Sequence, residues 1–200
     1  MRAHALLMSM LVLLCAPAVA NAQSEAGSSQ SDQTQSDPGT AGGSEFGTDP
    51  AAPPRVIVPG DEAVLMDDGF AAAPADAPVE VQNAIFAANE LQDKPYRYGG
   101  GHARVKDTGY DCSGTISYAL IAGKFQKAPL DSGSYMRWGA AGSGTWITVY
   151  TNPGHAYVVI AGLRLDTSSA GDRARRGRGP RWRASGRPTR GFKRRHPVGF

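Results

Sequence analysis

Residues 109–124 read GYDCSGTISYALIAGK, and the reading of this stretch decides the fold. Ile116, Ala119 and Leu120 fall on one helical face and Gly123 is a natural stop, so the spacing predicts a helix from about Cys112 to Ala122. Asp111 stands where an N-cap belongs, which puts Cys112 in the first turn. Unpaired amides and the positive helix end favour a thiolate there over the thiol, whose ordinary pKa is about 8.5. The plainer role for Cys112 is that of a small apolar residue packed in the core, as for most free cysteines.

A thiolate nucleophile needs an imidazole to hold its proton and later protonate the leaving amine. His155 follows the turn Asn152-Pro153-Gly154 and opens AYVVIAG, a buried-strand run, so it sits on rigid scaffold. His102 lies in a polar loop and His196 lies between Arg195 and Pro197, where a solvated role serves either. The strand turns at Ala161-Gly162 and returns as LRLDTS. A two-residue hairpin loop sets Ile160 opposite Leu163 and brings Asp166 to the same face as His155, one diagonal step away. A three-residue loop inverts that parity. Asp166 also suits a strand end, with its carboxylate satisfied by turn amides.

Upstream, Val81, Ile85, Ala88 and Leu91 form the stripe of an amphipathic helix over Val79 to Lys94, with Asp76 and Pro78 as start signals. KPYRYGGG, residues 94–101, then ends the helix and makes a loop. The folded domain is accordingly expected over residues 79–200.

Charge divides the rest of the chain. The formal net charge of +3 averages very unequal parts. Gln23 to Glu80 carries eleven acidic residues against the single Arg55, whereas Ala170 to Phe200 carries ten Arg and one Lys against a single Asp. Residues 1–22 have the layout of a secretory signal peptide: basic Arg2, an apolar run, and the ending Ala20-Asn21-Ala22. Secretion or a cell-envelope location is therefore expected, with no membrane span once the signal is removed. Its removal also leaves Cys112 as the only cysteine, so an internal disulfide is excluded. Residues 23–78, rich in Ser, Gly, Asp, Ala and Pro, read as an acidic disordered linker. Within it the short RVIVPG and AVLM segments could dock as strands. The basic segment 170–200 has two readings: an arm adhering to anionic wall or envelope polymers, or a solvated surface with GFKRRHP as the last strand. Export makes nucleic acid the poorer partner. No zinc-type ligand spacing and no phosphate-binding glycine loop is present, so neither a metal nor a cofactor is expected.

Together, KPYRYGGG, GYDCSGTISYAL, PGHAYVVIAG and LRLDTS resemble the NlpC/p-sixty family of papain-like cell-wall cysteine peptidases, over about Val81 to Ser169. The resemblance implies an α+β fold in which a cysteine-bearing helix packs on a small antiparallel sheet bearing the histidine. It makes Cys112 the nucleophile, His155 the general base and Asp166 the third polar residue. Tyr96 matches a tyrosine whose hydroxyl lies near the nucleophile and, with backbone amides at the helix start, would face the oxyanion. Asp111 and Ser113 flank the cysteine where the family binds the free amino end of a stem peptide. The implied activity is hydrolysis of peptidoglycan stem peptides, often at the D-glutamyl to diamino-acid bond.

There are departures from the family pattern. Its third position is commonly His and is Asp here. The Gly-Asp-Leu stretch before the histidine is replaced by GTWITVYTNPG, and its arginine-threonine-serine segment is echoed only by LDSGSYMRWG, where Ser132 or Ser134 takes the serine's place. An amidase or acyltransferase shares the chemistry. A non-catalytic envelope-binding protein using its basic arm is the reading from a different class.

Overall fold

The computed structural model describes residues 52–170, 179–184 and 186–200. The expected signal peptide, 1–22, and the linker up to residue 51 lie outside the described residues. Three short strands come first: β1 (Ile57–Val58), β2 (Val64–Leu65) and β3 (Ala71–Pro74). Helices α1 (Val79–Asn89), α2 (Cys112–Ala122) and α3 (Ser132–Tyr135) follow. The remaining strands are β4 (Ala140–Ala141), β5 (Ile147–Asn152), β6 (His155–Ile160), β7 (Leu163–Asp166), β8 (Arg181–Arg183) and β9 (Lys193–His196). They form a six-stranded antiparallel sheet in the order β4-β9-β5-β6-β7-β8, beside a three-stranded sheet β1-β3-β2. The class is α+β. Among the described residues no helix is long and apolar enough to cross a membrane.

The apolar stripes predicted for both helices face one core. Val81, Ile85 and Ala88 of α1 and Ile116, Ala119 and Leu120 of α2 meet Val149, Ala156, Val158, Ile160 and Leu165 of the large sheet, all buried. Helix α1 ends at Asn89, before the expected Lys94, because the chain tightens into i to i−3 turns: Leu91 N–H donates to Ala88 O and Gln92 N–H to Asn89 O. Leu91 remains buried on this last turn.

On the flanks, one expectation is corrected and the other is decided between its two readings. The acidic linker does not run to residue 78, since residues 57–74 form the small sheet. Ala71, Ala72 and Ala73 are wholly buried, their small side chains letting the β3 backbone approach α1. The composition of residues 23–78 as a whole hides this, because the apolar residues gather in its second half. Nor is the basic segment 170–200 a free arm in its described part: β8 and β9 are sheet strands, and GFKRRHP supplies β9. Its arginines turn several donors inward. Arg183 Nε donates to Asp166 O at 3.0 Å, and Arg195 donates to the carbonyls of Trp138 and Gly139, each at 2.6 Å.

One amide ties these parts together. Asn89 Oδ1 accepts from Ala71 N–H at 2.9 Å and from Trp182 Nε1–H at 2.8 Å, while its Nδ2 donates to Ala71 O at 2.9 Å. All three bonds are buried, so Asn89→Ala strands three polar groups without water. The substitution is expected to cost more than about 2 kcal/mol of unfolding free energy, read from the urea midpoint. A cost under about 0.5 kcal/mol would show that the small sheet and β8 do not depend on this amide.

Candidate active site

Asp111 organises the start of α2. Its Oδ1 accepts from Gly114 N–H at 2.7 Å as the helix cap, and also from Ser113 Oγ–H at 3.2 Å and His102 Nε2 at 3.0 Å. Oδ2 accepts from Gly99 N–H at 3.0 Å, which pins the loop 94–101 to the helix. A parallel bridge pairs Tyr96 with Tyr110, and Arg97 N–H donates to Tyr110 O at 3.1 Å. The glycines have a steric cause. A Cβ on Gly114 would stand 2.0 Å from Gly100 O, so loop and helix meet backbone to backbone.

Cys112 is therefore the first residue of α2, beside β6 and α3. Its Sγ lies 3.7 Å from Ser132 Oγ. Burial pushes the thiol pKa up, but hydrogen bonding to His155, the Ala156 N–H, the imidazolium charge and the Ser132 hydroxyl together hold it below its ordinary value. Ser132 is itself held in place, its carbonyl accepting from Thr151 Oγ1 at 2.6 Å. Ser134 instead bonds Asp131, so Ser132 is the serine brought to the thiol.

His155 is placed by two turns. Asn152 Oδ1 accepts from Gly154 N–H and His155 N–H, both at 2.9 Å, and so shapes the turn that delivers the histidine to the head of β6. At the other end of the strand Ala161 (φ 45°) and Gly162 (φ 83°) make the two-residue hairpin with both central residues at positive φ. Ile160 consequently pairs with Leu163 and Val158 with Leu165, the register that sets Asp166 on the face of His155. His155 Nε2–H donates to Asp166 Oδ1 at 2.9 Å, and the imidazole also hydrogen-bonds the Cys112 thiol.

Burial lowers the imidazole pKa, yet the Asp166 hydrogen bond, then Cys112 and both opposite charges, push it up to about 9. Asp166 has no exposed side-chain surface. Burial raises its pKa, and the His155 bond, the Ser168 N–H and Arg187 more than reverse that. Ser168 N–H reaches Oδ1 at 2.8 Å, so Asp166 is both a histidine partner and a strand-end carboxylate bonded to a turn amide.

The structure thus joins Cys112, His155 and Asp166, and places Asp111 and Ser113 beside the nucleophile. Asp111 already accepts four hydrogen bonds there, so an incoming ammonium would have to displace donors that cap the helix. Tyr96 enters through its backbone bridge and is 41% exposed. The sequence reading gave His102 a solvated role and did not single out Arg187. His102 stands against Asp111 and Ser113, the latter at 3.2 Å, and Arg187 NH1 donates to Asp166 Oδ2 at 2.9 Å. Neither carried a periodic or motif signal, although His102 lies only nine residues before Asp111. His196 bonds the Gly142 carbonyl instead. Among the described residues no group of three or more histidine, cysteine, aspartate or glutamate side chains is placed to hold a metal ion. No protein-family model matches the chain, and no curated protein matches it.

Loss of the Asp166 anion removes the first cause of the raised imidazole pKa. Asp166→Asn is therefore expected to bring the His155 midpoint from about 9 down toward 6.5, followed by imidazole proton resonances. An unmoved midpoint in the folded variant would mean that Asp166 does not support the imidazolium.

Proposed function

We propose that this protein is an exported papain-like cysteine hydrolase, similar to the NlpC/p-sixty peptidases, that cleaves peptidoglycan stem peptides, with the D-glutamyl to diamino-acid bond as the expected target. The observation that carries the chemistry is the continuous chain from the Cys112 thiol through His155 to the buried Asp166 carboxylate. The substrate class rests on the resemblance of residues 94–101, 109–120 and 153–168. Export rests on the layout of residues 1–22.

In this mechanism His155 takes the Cys112 proton and the thiolate attacks the scissile carbonyl carbon. The amides of Cys112 and Ser113 have no intrahelical partner at this helix start, so they are available to the developing oxyanion. The imidazolium then protonates the leaving amine as the carbon–nitrogen bond breaks. Water, deprotonated by His155, attacks the thioester and releases the acid and the free thiol. Asp166 holds the imidazole in the required tautomer throughout. The inward bonding of Arg183, Arg187 and Arg195 favours this reading over an adhesive arm acting alone.

Cys112→Ala, or alkylation with iodoacetamide, is expected to abolish release of soluble fragments from purified sacculi, with mass spectrometry of wild-type products reporting the bond cut. Full activity in Cys112→Ala would overturn the proposal. The pH dependence follows from the two midpoints. Below the lowered thiol pKa the nucleophile is protonated, and above about pH 9 the imidazolium that must protonate the leaving group is lost. Hydrolysis should therefore run on a plateau between those limits and fall on both sides. A single rising limb centred on an ordinary thiol pKa would count against the ion pair.

A further inference from the structure

Asp166 divides its two oxygens between different partners. Oδ1 accepts from His155 Nε2 at 2.9 Å and Ser168 N–H at 2.8 Å, while Oδ2 accepts from Arg187 NH1 at 2.9 Å. The Arg187 guanidinium is seated against two rings, 5.1 Å from the Tyr157 centroid and 5.2 Å from that of Phe192. Phe192 is shared: its ring stands edge-on to Tyr157 at 5.2 Å and to the His155 imidazole at 6.3 Å. One cationic group from the segment between β8 and β9 therefore touches the carboxylate, and its aromatic seat touches the imidazole.

We infer that Arg187 is a positioning residue for the Cys112–His155–Asp166 site: it keeps the buried carboxylate ionised, turns Oδ1 toward His155, and places a positive charge behind the thiolate. This rests on the thiol chemistry proposed above. A carboxylate with no exposed surface invites the proton back onto itself unless nearby donors and positive charge oppose it. The guanidinium removes that tendency because it stays charged throughout the working pH range.

Other charged and titratable groups also surround Asp166. His155 and Tyr157 lie on β6 and Cys112 lies on α2. Arg164 on β7 stands 3.9 Å away through Nε and gives NH1 to the Ala170 carbonyl. Arg183 on β8 donates Nε–H to the Asp166 backbone carbonyl at 3.0 Å. Arg181, paired with Asp166 across the sheet, gives NH1 to Pro180 O.

The test is the rate of Cys112 alkylation by iodoacetamide against pH in the full chain, with wall hydrolysis measured in parallel. Without Arg187 the anion behind His155 is less compensated, so the thiolate is disfavoured. The acid limb should move up by about one pH unit in Arg187→Gln. The kcat on sacculus fragments should fall about tenfold with KM little changed, and Arg187→Lys should restore most of both. An unmoved limb in folded Arg187→Gln overturns the inference, as does a limb that Arg187→Lys fails to restore.

Should Arg187→Gln not fold, Phe192→Leu decides, because loosening the guanidinium's seat should move the limb the same way by a smaller step; an unmoved limb there also overturns it. Alkylation reports the thiol whatever its substrate. A wild-type protein with a lowered limb but no wall hydrolysis would therefore sink the peptidase reading alone. A wild-type limb at the ordinary thiol pKa would sink the Arg187 inference as well.

Discussion

The Asp111 carboxylate is the constraint from which the rest of the site is built. A helix start leaves amides without partners, and one of them here, Gly114 N–H, is satisfied by a side chain that also holds Gly99, His102 and Ser113. Helix, glycine loop and polar loop thus share one buried anchor. With α2 fixed in this way, Cys112 can occupy only its first turn, and the packing of Ile116 and Leu120 against the sheet sets how far that turn stands from β6.

The second requirement is a buried negative charge opposite the thiol. Asp166 is placed by a hairpin of two positive-φ residues, and a loop one residue longer would have turned it to the other face. Burial alone would neutralise such a carboxylate. It is held charged by an imidazole on one oxygen and a guanidinium on the other, with Ser168 N–H completing the set. The basic C-terminal segment thereby becomes intelligible inside the fold. Part of its positive charge faces Asp166, part bonds carbonyls at the turn before β4, and Arg190, Lys193 and Arg194 remain on the surface.

The helix bearing the cysteine was legible because a capping aspartate, an apolar stripe and a terminal glycine all agree over sixteen consecutive residues, 109–124. The His155 to Asp166 pairing was legible for a related reason: a hairpin is local, so its loop length fixes parity. Of the small N-terminal sheet, β1 and β2 were legible only as the short apolar segments RVIVPG and AVLM that could dock as strands, and β3 was not legible, because alanines and a proline are too bland for a periodic signal. Arg187 and His102 were hidden for the opposite reason. Each is one polar residue among many: Arg187 is selected only by closure of a distant segment, and His102 by a polar loop with no capping, periodic or hairpin signal.

Local patterning by itself determined the helix that carries the thiol, the strand that carries the imidazole and the hairpin that returns an aspartate. These rest on continuous stretches of chain in which capping, periodicity and hairpin turn chemistry act directly. Tertiary structure alone decided that Asn89 joins β3 to Trp182, that His102 reaches Asp111, and that Arg187 lies on the far oxygen of Asp166. Those contacts depend on how helices and sheet pack. Their physical cause is the burial of a shared core, which brings together residues that no local preference connects.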